Sequence, residues 1–139
     1  FRTKDEVVAA LVADDLAELA DDCRDLARDD LAVALTRAAD AVAGHAVLVA
    51  LRTVEPTALL AVAVPGEGTS WDAVRVRTAE VLDAADRASG AEHVDLVLRW
   101  LAGHAVEPGT QTSRAAQAKA LTTGLPPAVR TTAFASPQS

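Results

Sequence analysis

No Ile, Asn, Met or Tyr occurs in this chain of 139 residues, which also holds only two Phe, two Trp, one cysteine and two lysines, Lys4 and Lys119. The missing residue types, with Ala at about a quarter of the chain, carry the coding bias of a GC-rich genome, so abundant Ala and Val are not themselves a fold signal. A single cysteine, Cys23, excludes an internal disulfide and points to no oxidising compartment, which makes the cytoplasm the expected location. The apolar runs, such as Ala46–Leu51, fall far below the ~20 residues that span a bilayer, so no membrane association is expected. No charged, apolar and small-residue succession of a secretory leader opens the chain. Phe1 is not an initiator methionine, which leads us to expect a longer or processed product.

Acidic residues are also missing from one region. All 20 lie at or before Glu107, where they face 10 basic groups, while the remainder carries Arg114, Lys119 and Arg130 with no acid. The net charge of −7 is therefore a body of −10 and a tail of +3. A body of that sign repels a phosphate backbone, and no basic stripe with interleaved aromatics offsets it, which argues against nucleic acid as a partner.

What is present begins with a helical pattern. Thr3 is positioned as an N-cap with Glu6 three residues later. Val8, Val12, Leu16, Leu19, Cys23 and Leu26 then recur at helical spacing, and Asp15, Glu18, Asp22, Asp25 and Asp29 form an acidic stripe beside them. The next apolar slot falls on Asp30, so a break is expected there, with a second helix carrying Leu31, Leu35, Ala38 and Val42 and ending at a left-handed Gly44.

From His45 onward the period changes. Ala46–Leu51 and Ala58–Val64 are short continuous apolar runs containing β-branched residues, and their length predicts a buried β-hairpin. A helix from Thr69 or Ser70 to about Ser89 follows, with Trp71, Val74, Thr78, Val81, Leu82 and Ala85 on one side. Residues 93–101 satisfy both strand alternation and helical spacing, and the breaker Ser89-Gly90 favours strand. The expected fold is thus α+β: a helical N-terminal half, an apolar β-hairpin, a β-α-β continuation and an extended C-terminal tail. Residues 1–107 form the single domain in this reading, and 108–139 a Thr/Ser/Pro/Gln-rich tail with a short helix near 113–121.

Three features bear on chemistry. Gly66, Gly68, Thr69 and Ser70, between an expected strand and an expected helix, could present backbone N–H groups to an anion. The loop lacks a P-loop lysine, and Glu67 opposes a phosphate. The segment Asp21-Asp22-Cys23-Arg24-Asp25 spells DDxxD, which resembles the aspartate-rich motif of class I prenyl-diphosphate and terpene synthases. That resemblance implies Asp21 and Asp25 as Mg²⁺ ligands. It covers five residues, and those enzymes are larger helical bundles with a second metal motif and an aromatic pocket, neither of which this chain supplies. The segment is therefore read as a solvated acidic face with Asp21/Arg24 and Asp25/Arg28 pairs. His45, His93 and His104 have no companion ligand at metal spacing, and no cofactor is expected.

The leading functional expectation is a small acidic non-enzymatic interaction module, adaptor, chaperone-like or regulatory, with itself as first partner. The stripe of Val8, Val12, Leu16, Leu19 and Leu26 is the expected homodimer interface. In size and acidity the chain is similar to secretion-type chaperones, with no motif to carry a family assignment. The alternatives are a small enzyme or ligand-binding domain using the 66–70 loop and, more remotely, a Mg²⁺-dependent enzyme using the motif at 21–25.

Overall fold

The computed structural model describes residues 3–66 and 69–129. Thr3 opens α1 (Lys4–Asp29) with its hydroxyl accepting from the Glu6 N–H at 3.2 Å. Asp30 stops this helix in extended backbone and at once caps α2 (Leu31–Ala43), its carboxylate accepting from the N–H groups of Ala32 at 2.9 Å and Val33 at 3.4 Å. One residue thus satisfies two of the four free donors at that helix start. Gly44 ends α2 at φ −101°, outside the left-handed region expected for it.

Both segments of the expected hairpin are helices, α3 (Ala46–Val54) and α4 (Pro56–Ala63). The segment expected as a strand at 93–101 lies inside α6 (Ala91–Val106). With α5 (Thr69–Ala84) and α7 (Gln111–Gly124), every regular element among the described residues is helical, which overturns the α+β assignment in favour of an all-α fold. The sole β-type pairing among them is an isolated bridge between Arg87 and Pro127.

The physical reason lies in the burial periods. In α4 the buried residues are Leu59, Val62 and Ala63, at spacings of three and one, whereas a strand would bury alternate positions. Pro56 sits in the first turn, where its missing N–H costs nothing and its φ is already helical. In α6 the helical set Val94, Val97 and Leu98 is buried, while Leu96 is 48% exposed. A short apolar run does not by itself distinguish a buried strand from a helix lying on a core.

Two apolar clusters hold the helices together. The larger joins α1, α2, α5, α6 and α7 around Ala13, Leu35, Trp71, Leu82 and Leu98. The smaller joins α1, α2, α3, α4 and α6 around Val12, Val42, Leu48, Leu59 and Val62. Leu16 and Leu101 pack against both. The C-terminal region is part of this body as far as residue 129: α7 lies on α2, Ala118 and Leu125 are buried, and the segment after it pairs with the turn following α5 (Ala88 N to Pro126 O, 2.9 Å; Ala128 N to Asp86 O, 3.0 Å). No single described helix is long and apolar enough to cross a membrane; α2 and α3 would pass together by length and composition, but they are bent by 48°.

Candidate interaction surfaces

The stripe expected as an interface belongs to the chain's own core. Val12 is 1% exposed, Val8 packs on the smaller cluster, Leu19 and Leu26 on the larger, and Leu16 on both. Its acidic neighbour is exposed as expected, with Asp15 reaching His45 Nε2 at 2.8 Å and Asp25 reaching Arg28 at 3.4 Å.

Asp21 and Asp25 do not converge on a common point with ligands from another helix. Asp21 is engaged by Arg77 of α5 and lies 3.8 Å from Arg24, so its carboxylate already faces two guanidinium groups. No group of three His, Cys, Asp or Glu residues placed to hold a metal occurs among the described residues. His104 is buried, and its Nδ1 donates to the Trp100 carbonyl at 2.8 Å with the two rings edge to face.

At the loop expected to take an anion, Gly66 is half-buried and its carbonyl accepts from Arg75 Nη2 at 2.5 Å. Gly68 lies outside the described residues, as do the side chains of Thr69 and Ser70, which begin α5. Asp72 stands in the first turn of that helix, 3.4 Å from Arg75, and supplies the negative charge that the helix N-terminus would otherwise offer to attract. Cys23 is 3% exposed, its Sγ is 3.5 Å from the Ala34 carbonyl, and burial pushes its thiol up from 9.0 to about 11, with Arg37 lowering it and Asp22 raising it. A thiol so placed is not a nucleophile. The enclosed apolar space beside it measures about 50 Å³, a third of the ~150 Å³ that holds a benzene.

Two surface features were not anticipated. The first is the outward side of α3 and α4. On α3 the exposed residues are Ala46, Val47, Ala50, Thr53 and Val54; on α4 they include Thr57, Leu60 and Ala61, with Val64 just beyond the helix end. None is charged, although charged residues make up 24% of the chain. Leu60 is 53% exposed, Val64 52% and Val54 74%. The two helices join here, where Val54 shares a shallow depression with Thr57, Ala58 and Ala61, and the carboxylates of Asp5 and Glu55 line the same depression. A helix apolar on all sides ordinarily has all sides covered. The sequence signal was present as the long interval without charge, interrupted from 46 to 64 by Arg52 and Glu55; Arg52 is turned to the Ala105 carbonyl at 2.9 Å and Glu55 to Lys4 at 3.7 Å.

The second is an open groove of about 760 Å³ between α2 and α7, with Leu26 of α1 at its edge. Arg37 of α2 and Lys119 of α7 line it. Comparison with protein-family models, curated proteins and solved structures finds no match for this chain.

Proposed function

We propose that this chain is a small acidic, non-enzymatic interaction module that works as a homodimer joined through the outward side of α3 and α4. The observation that carries the reading is the mostly apolar outward side running from Ala46 to Val64, with Glu55 as its one exposed charge and Val54, Leu60 and Val64 each more than half exposed. Fully burying a Val or Leu side chain contributes about 1.5–3 kcal/mol, so several half-exposed ones facing another molecule supply a useful part of an association energy. A second copy fits such a face because a self-complementary contact must bring like groups together, and a face whose one exposed charge, Glu55, lies 3.7 Å from Lys4 brings few like charges into register. The rest of the surface, at a net −7, resists closer approach elsewhere and confines the contact to that side.

Adaptor, chaperone-like or regulatory work in the cytoplasm belongs to the same reading, in keeping with a lone buried thiol. Sedimentation equilibrium of the intact chain tests it. A dimer at tens of micromolar, converted to monomer by Leu60→Asp with Val64→Asp while helical circular dichroism is retained, is the expected result. A wild-type monomer at that concentration overturns the reading.

A further inference from the structure

Among the described residues, every arginine and lysine except two faces a carboxylate or holds a backbone carbonyl. The exceptions, Arg37 and Lys119, make no ion pair and no side-chain hydrogen bond, and both line the groove between α2 and α7. In a chain of net charge −7, two unengaged cations on opposite walls of one groove are the local inverse of the molecule. The groove also has apolar surface: Leu26 and Val33, the latter 50% exposed, with Ala41 and Ala115. The carboxylate in its lining, Asp40, is engaged by Arg114 at 2.7 Å and by Gln111 at 3.3 Å, so it does not neutralise the two cations.

We propose that this groove docks an acidic amphipathic helix from a different protein. The α2 wall runs from Ala32 to Ala41, about 13 Å at 1.5 Å per residue, which matches between two and three turns of a guest helix. Such a helix would place apolar residues at i, i+3 and i+4 on Val33 and Leu26, with carboxylates on either flank reaching Arg37 and Lys119. The occupant must offer acid and apolar side chains on one face. The acidic helix of a second copy, α1, has its apolar stripe packed into its own core, so it does not meet this requirement. An anionic membrane, flat and far wider than the groove, would also face the exposed Asp22, Asp25 and Asp29 of α1, whereas a helix no longer than the α2 wall is confined to the groove. The proposal rests on the interaction-module reading but does not require the α3–α4 contact.

Selection of a random-peptide display library on the full chain, followed by fluorescence anisotropy of the labelled winner, tests the proposal, and sedimentation of the same samples reports dimerisation separately. Enrichment of peptides with carboxylates and apolar residues at helical spacing is expected. Affinity should fall by about tenfold or more in Arg37→Glu with Lys119→Glu, and return when the winner's carboxylates are exchanged for lysines. Both side chains are exposed, and Arg37→Ala with Lys119→Ala provides a milder variant should reversal disturb folding. Enrichment of basic or uncharged peptides, affinity unchanged in both double variants, or binding of decanoate without peptide enrichment would each overturn it.

Discussion

Arg114 Nε lies 2.7 Å from Asp40 Oδ1, and this pair fastens α7 to α2. The guanidinium is 13% exposed and the carboxylate 31%, so neither is freely solvated, and Arg114 Nη1 also donates to the Pro108 carbonyl at 2.7 Å. The pair joins the acid-free C-terminal region to the acidic body, and Ala118 and Leu125 add the apolar anchorage.

Removing one partner of such a contact leaves the other partly desolvated and unpaired. Arg114→Ala is therefore expected to destabilise the fold by about 2 kcal/mol, seen as a lower urea midpoint. Arg87, which donates to the carbonyls of Thr122 and Leu125 at 2.9 Å each, holds the other end of α7. Arg87→Ala should raise hydrogen exchange around residues 122–125. Unchanged midpoint and unchanged exchange in the two variants would show α7 to be loosely held.

The start of the molecule was legible and its middle was not, for reasons that specific residues make plain. Thr3, Asp30 and the Val8–Leu26 spacing each carry a local signal, because a cap acts within three residues and an amphipathic stripe repeats over many turns. The same stripe misled as to function: periodicity marks a face as covered without saying whether its own chain or another covers it. At Ala58–Val64 every position is apolar, so period is erased; Pro56 as a helix start was the remaining signal. The groove holding Arg37 and Lys119 was out of reach, since the two are 82 positions apart and meet only because α7 packs on α2.

Ala61 and Val62 separate helix from strand at this segment. With Leu59 inward, a strand covered on one face buries residue 61 and exposes 62, whereas α4 exposes Ala61 and buries Val62 to 1%. Val62→Asp should cost several kcal/mol by burying an unpaired charge, and Ala61→Asp should stay within about 0.5 kcal/mol. Chemical denaturation below the self-association range distinguishes them, and the reverse order would restore a strand.

Cys23 confers a pH dependence whose sign follows from burial. Its thiol keeps its proton in the folded state up to about 11, whereas the unfolded thiol loses it near 9.0. Between those values the folded state binds more protons than the unfolded, so stability is complete below pH 9 and declines as pH rises toward 11, by on the order of 3 kcal/mol. Cys23→Ala should flatten this alkaline slope in denaturation curves. A slope that persists unchanged in the variant would assign it to another group.

Asp21 faces α5 as half of an ion pair with Arg77, with each side chain about two-fifths exposed. Asp21→Ala is then expected to cost no more than about 1 kcal/mol, the range of partly exposed pairs. Millimolar Mg²⁺ should leave the wild-type melting temperature where it was, because binding to the folded state alone would raise it. A Mg²⁺-dependent rise abolished by Asp21→Ala with Asp25→Ala would restore the metal-dependent reading.

Salt separates the two surfaces. Two copies approaching through α3 and α4 bring mostly apolar faces together but carry −7 each, so their association should strengthen as ions screen the repulsion. An acidic helix entering the groove is drawn by Arg37 and Lys119, and its binding should weaken over the same range. Sedimentation equilibrium and peptide anisotropy on one preparation, from low to high ionic strength, should give dissociation constants that move in opposite directions. If dimerisation weakens with salt instead, charged groups of opposite sign meet across the interface, and the mostly apolar side of α3 and α4 is not where the copies join.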